Sequence, residues 1–141
     1  MLEKGVPWPD VPEARRKVMR AIKSKNTKPE MAVRRLVHGM GYRYRLHRKD
    51  LPGKPDLTFG PRNKAIFVHG CFWHQHPGCR DARMPATRLD YWEPKLTANV
   101  VRDARNLRLL RRLGWSVAVV WECQVESDVS AVGRRLQRFL G

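Results

Sequence analysis

Trp115-Ser116-Val117-Ala118-Val119-Val120-Trp121 is the run that decides the fold. Valines at 117, 119 and 120 between two tryptophans suit a pleated, buried surface. Gly114 just before them is a helix-stopping residue. The run is the strongest strand in the chain and is expected at the centre of a sheet. Upstream of it, Leu96, Val100, Leu107 and Leu110 recur at helical spacing and predict a long helix over residues 94–113. Downstream, residues 129–140 read as a closing amphipathic helix. A strong strand set between two helices implies α/β layering.

Further upstream the period changes. Tyr42-Arg43-Tyr44-Arg45-Leu46-His47 alternates with period two, which predicts a strand. Leu51-Pro52-Gly53-Lys54 is a turn, and Pro55-Asp56-Leu57-Thr58-Phe59 a second short strand. After the Gly60-Pro61-Arg62-Asn63 turn comes a third, over 64–68. Thr27 has the chemistry of an N-cap, with Pro29 in the first turn and Glu30 as its capping-box partner. Met31, Val33, Leu36, Val37 and Met40 carry that helix to Gly41. Residues 13–22 read as a basic helix, and residues 1–11 as a flexible arm without periodicity. The expected architecture is α/β: a small mixed β-sheet flanked by helices, in a single domain over 12–141.

There are 29 Lys and Arg against 13 Asp and Glu, a net charge of +16 spread along the chain and not gathered in a tail. Charge of this size speaks to partners, and a folded basic face points to nucleic acid. No apolar run approaches the roughly 20 residues of a membrane span. Residues 1–10 hold Pro7 and Pro9 and no apolar core, so a signal peptide is not expected. The expectation is a cytoplasmic, nucleoid-associated monomer with no membrane partner.

Phe67-Val68-His69-Gly70-Cys71-Phe72-Trp73-His74-Gln75-His76-Pro77-Gly78-Cys79 holds three of the five histidines and two of the three cysteines. In a chain of this length that density favours a metal site over a disulfide framework. Cys71, His76, Cys79 and Cys123 can surround one Zn²⁺ as three thiolates and an imidazole. Four protein ligands leave no open position, so such a zinc is structural. His74 competes with His76 for the imidazole place, and spacing alone does not choose. Asp56, placed beside a turn and a strand leading to His69, can bind a hard cation such as Mg²⁺. On the strand after it, Phe67-Val68-His69 stand at the positions where nucleases of the Pro-Asp type usually place an acid and a lysine. Phe72 and Trp73 read either as core or as loop aromatics with another use. His38 and His47 have no constellation and receive no site.

Taken in order, several blocks resemble the very short patch repair (Vsr) endonucleases. They are Met19-Arg20-Ala21-Ile22, Thr27-x-x-Glu30, Leu51-Pro52-Gly53-Lys54-Pro55-Asp56 and His69-Gly70-Cys71-Phe72-Trp73-His74-x-His76. Pro85-Ala86-Thr87-Arg88, Asn99-Val100-x-Arg102-Asp103, Gly114-Trp115-x-Val117 and Val120-Trp121-Glu122-Cys123 follow. The resemblance implies a restriction-endonuclease-like core in which histidines stand in for the missing lysine. It implies Mg²⁺ on Asp56 and the Val68 backbone carbonyl, Val68 standing where family members carry threonine. His69 and His74 would then contact the attacking water and the scissile phosphate, with His74 as general base. Glu30 becomes an active-site carboxylate as well as a cap. Phe72 and Trp73 would wedge into the base stack, with Met19 entering from the other groove. The implied reaction nicks double-stranded DNA 5′ to the thymine of a T·G mismatch, the product of 5-methylcytosine deamination, alongside other mismatch-repair proteins. Two alternatives are a zinc-stabilised DNA-binding module without catalysis and a restriction-type nuclease on the same core.

Overall fold

The computed structural model describes residues 26–141. The expected arm at 1–11, the helix at 13–22 and Met19 lie outside the described residues. Helix α1 (Lys28–Gly39) leads to strands β1 (Arg45–Leu46), β2 (Leu57–Phe59) and β3 (Lys64–His69). Helix α2 (Leu89–Arg112), strand β4 (Ser116–Trp121) and helices α3 (Glu122–Ser127) and α4 (Val129–Leu140) complete the order. The sheet runs β1-β2-β3-β4. Its first two pairings are antiparallel and β3 with β4 is parallel, so the sheet is mixed as the sequence predicts.

One expectation is corrected. Among the described residues strand β4 is not central but lies at the edge of the sheet, and β2 and β3 are the inner strands. What made β4 read as central is cover on both faces. Ala118 and Val120 pack with Val33 and Val37 of α1 and Val132, Leu136 and Leu140 of α4. Val117 and Val119 pack on the other side against Leu107 and Leu110 of α2, with Phe67 and Leu51. Two helical layers bury both faces, so the valine run carries no information about its neighbours in the sheet. Arg135 of α4 donates Nη2–H to the Val119 carbonyl at 2.5 Å, occupying an edge acceptor.

Helix α2 begins at Leu89, earlier than the predicted 94, and carries Pro94 inside it. Proline there forgoes only the bond to the Asp90 carbonyl, and the early turns bury Trp92 and Leu96 completely. The helix ends as its glycine predicts. Gly114 (φ +92) donates to Arg111 O at 3.0 Å and Trp115 N–H to Leu110 O at 3.0 Å, a Schellman closure. The predicted strand over 42–47 makes only a two-residue ladder. Its alternation survives in packing, since Tyr42 and Tyr44 stand edge-on to Phe59 at 6.5 and 6.0 Å. Helix α3 was not foreseen, and it carries Cys123.

Candidate active site and metal centre

One end of the sheet collects the chemistry. The antiparallel register sets Leu46 opposite Leu57, so His47 leaves β1 where Asp56 enters β2. His69 ends β3 opposite Trp121, the last residue of β4. Glu30 comes in from the first turn of α1. Its N–H donates to Thr27 Oγ1 at 3.3 Å, which is the predicted cap. The reciprocal bond differs from a capping box: Glu30 Oε1 accepts from Asn26 N–H at 3.0 Å, one residue before the cap. The other oxygen, Oε2, faces His47 Nε2 at 2.7 Å. Glu30, His47 and Asp56 form one cluster whose ligand atoms lie within 4.8 Å. Asp56 Oδ2 accepts the Val68 N–H at 2.7 Å. Burial pushes the Asp56 carboxyl up to about 7, and the Glu30 charge adds to the rise while the Val68 N–H opposes it. A buried and a half-buried carboxylate side by side suit a divalent cation, so the donor chemistry fits a hard metal at Asp56.

Beside them stands a histidine pair. The His69 and His74 rings stack at 3.8 Å and 6°. His74 Nδ1 lies 2.6 Å from Asp103 Oδ2, on α2. A carboxylate only accepts, so Nδ1 carries a proton, and in the neutral ring that tautomer turns Nε2 into the acceptor a general base requires. His69 is buried, and burial pushes its imidazole down to about 3, with His74 adding to the fall. It is therefore neutral at working pH and offers one N–H without a charge.

The third cluster is Cys71, His76, Cys79 and Cys123. Cys71 follows β3 and Cys123 follows β4, so parallel pairing of these strands delivers both thiols to the same end. His76 Nδ1 lies 3.7 Å from Cys71 Sγ and 3.4 Å from Cys123 Sγ. Tetrahedral coordination with zinc-length bonds places sulfur and nitrogen roughly 3.5 Å apart, so the donor set fits. Burial pushes the Cys71 thiol up to about 12, and it falls to a bound cation to hold such a sulfur as thiolate. Of the two histidines between which the sequence does not choose, His76 lies with the cysteines and His74 with Asp103. Trp121, the last residue of β4, stacks on His76 at 4.2 Å and 12° and meets His69 edge-on at 5.2 Å, dividing the two sites.

Comparison with known proteins now bears on this arrangement. The family model described as DNA mismatch endonuclease Vsr matches residues 10–80. A type II nicking enzyme, V.XorIIP of Xanthomonas oryzae pv. oryzae, is 56% identical over 129 residues, covering 92% of this chain and 93% of that one. DNA mismatch endonuclease Vsr of Escherichia coli is 43% identical over 109 residues, covering 77% and 69%. The chain belongs to the Vsr family of DNA endonucleases. Among solved structures, the catalytic domain of homing endonuclease I-Bth0305I matches with TM-score 0.55 and 20% identity, covering 81% of this chain and 94% of that one. The shared fold is the restriction-endonuclease-like core. No helix among the described residues is long and apolar enough to cross a membrane.

In this Vsr-family chain Phe72 and Trp73 are neither fully buried nor free. They pack with Met84 and Tyr91 around the buried Trp92 and Leu96. Their backbone is held from two sides: Gln75 Nε2–H donates to Phe72 O at 2.7 Å and to Ala82 O at 2.9 Å, and Asn99 Nδ2–H to Trp73 O at 3.0 Å. Two site neighbours, Asp103 and His47, receive no role from the sequence, although Asp103 stands in one of the matched blocks. Asp103 is the only acid between residues 95 and 112, amid arginines, and that isolation was a signal. His47 was dismissed for want of a constellation. Pairing the two predicted strands across the Leu51–Lys54 turn would have set it beside Asp56.

Proposed function

We propose that the protein is a strand-specific mismatch endonuclease, nicking DNA 5′ to the thymine of T·G pairs left by deaminated 5-methylcytosine, through Mg²⁺-dependent phosphodiester hydrolysis. The observation that carries the reading is the Asp103–His74–His69 array standing at the same sheet end as Asp56 and Glu30. His74 Nε2 takes the proton of the attacking water while Asp103 holds Nδ1–H in place. His69, kept neutral by burial, donates its N–H to a phosphate oxygen. Asp56 and the Val68 carbonyl would hold Mg²⁺, whose chemistry is to neutralise charge on the phosphate in the transition state. Glu30 shares that acidic wall. Cys71, His76, Cys79 and Cys123 would hold a structural Zn²⁺ that pins the loop between β3 and α2 to the end of β4.

Selectivity for a mismatch is assigned to Phe72 and Trp73, with Met19 from the other groove. Unstacking costs a few kcal/mol per step and least at a mispaired step, so wedging side chains select weak steps with few base contacts. Relatives named nicking enzymes support cleavage of one strand. The protein acts as a monomer that works beside other mismatch-repair proteins. A nicking assay on T·G and fully paired duplexes in Mg²⁺ tests the reading, with Asp56→Ala as control. Nicking confined to the T·G duplex and lost in the variant is expected. Equal nicking by Asp56→Ala removes the catalytic assignment. Binding of T·G duplex by the wild type without any nicking replaces the enzyme by a DNA-binding module.

A further inference from the structure

We propose that His47 is a positioning residue of the reaction centre, its ring N–H holding the Glu30 carboxylate beside Asp56 so that both acids serve one divalent cation. The inference rests on the proposed metal-dependent reaction and adds a residue to it. Its backbone is the first observation. His47 sits at the end of β1 with φ +48, a left-handed conformation uncommon outside glycine. Such a residue is strained and persists only where its surroundings hold it.

Two bonds hold it, and both lead to the acids. Its N–H donates to the Asp56 carbonyl at 3.1 Å, extending the β1–β2 ladder by one rung. Its Nε2 lies 2.7 Å from Glu30 Oε2 and 3.9 Å from Asp56 Oδ1. The shorter contact has the length of a charge-assisted bond, and an ionised carboxylate there requires the proton on Nε2. Glu30 is 1% exposed, so it cannot exchange this partner for water. The competing donor is Arg34, one helical turn on, whose Nη1 stands 3.5 Å from the same oxygen. Without His47 the carboxylate has Arg34 to turn to, on its own helix. With it, Glu30 is tied to the strand that pairs with the one carrying Asp56. The ring thus sets the spacing of two like-charged groups that a cation must bridge.

Two substitutions separate backbone from ring. His47→Asn accepts the left-handed conformation, but its amide reaches only as far as Nδ1, so the Glu30 bond is lost. His47→Gln places an amide N–H near the position of Nε2 and restores it. Full-length variants are compared for nicking of T·G duplex in Mg²⁺, for Mn²⁺ affinity by electron paramagnetic resonance, and for melting. His47→Asn is expected to lower kcat and Mn²⁺ affinity by roughly 10- to 100-fold, the range for residues that orient a metal ligand. KM for DNA should stay within about twofold, as for an interaction acting on the chemical step. His47→Gln should recover most of both losses. Wild-type kcat and Mn²⁺ affinity in His47→Asn overturn the inference, as does His47→Gln being no better than His47→Asn. A fall in melting temperature with KM rising alongside also overturns it, since the role is then structural. If the wild type binds Mn²⁺ but does not nick, the proposed reaction fails, and the variants' Mn²⁺ affinities still decide the role of His47.

Discussion

Asp103 and Asp56 are both acids at this end of the sheet, but they hold different partners. Asp103 touches His74 at 2.6 Å and acts on the tautomer of that ring. Asp103→Asn keeps the shape but offers an amide, which favours the wrong tautomer at Nδ1. Where an aspartate–histidine pair serves as base, such a change costs up to about 10⁴-fold in kcat. We expect a loss of roughly 10²-fold or more in single-turnover nicking, with duplex affinity unchanged, measured by rapid quench and by anisotropy. Near-wild-type rates would show that His74 is not the base. Asp56 is different in that its charge is costly to the metal-free fold, being buried beside Glu30. Asp56→Asn retains an acceptor for the Val68 N–H and removes a like-charge contact. In the presence of a chelator it should melt no lower than the wild type while nicking falls by about 10³-fold or more. A clear drop in melting would mean that the carboxylate supports the fold instead of the reaction.

At the scale of elements, β3 and β4 organise the site because they run parallel and end together. Their last residues place Cys71 and Cys123 side by side, although they are 52 positions apart in the chain. The loop between them contains only the three-residue helical turn Arg80–Ala82 before α2 starts. A metal joining four ligands there closes a long loop, so Cys123→Ser should release the loop as well as one ligand. We expect loss of the single bound metal equivalent and several kcal/mol of stability, followed by metal analysis and denaturant unfolding. Metal content and stability equal to wild type would remove the structural site. The same elements show what the sequence makes legible. Helices α1, α2 and α4 and strands β2 to β4 are visible from periodicity, caps and Gly114 because local chemistry specifies them. The place of β4 at the edge is invisible, since burial under helices and burial between strands leave the same valine pattern. Cys71, Cys79 and Cys123 declare themselves by type, and Asp56 by its turn. His47 and Asp103 do not, because each acquires meaning only through a partner brought by tertiary pairing.

For the whole molecule, the net charge of +16 must be reconciled with a site whose reactive wall is acidic. The two are segregated. Arg102, Arg105, Arg108, Arg111 and Arg112 lie exposed along α2, the helix that also delivers Asp103 to His74. At about 100° per residue Arg105 and Arg108 point roughly 140–160° away from Asp103, so a duplex that reaches both His74 and this row must pass over α2. Phosphate contacts carry no sequence information, so these arginines should support matched and mismatched DNA equally. Each phosphate neutralised contributes about −0.9 to the slope of log K against log salt on a B-form duplex. The Arg105→Ala, Arg108→Ala double variant should flatten that slope by roughly 1 to 2 and weaken binding of T·G and paired duplexes by the same factor. Its nicking rate at saturating protein should stay at the wild-type value, since neither side chain touches the histidines. Titrations across a range of salt concentrations, with single-turnover rates at each end, measure all three quantities. An unchanged slope would place the DNA on another face of the protein. A selective loss for T·G duplex would make these arginines readers of the mismatch, in addition to the wedging proposed for Phe72, Trp73 and Met19.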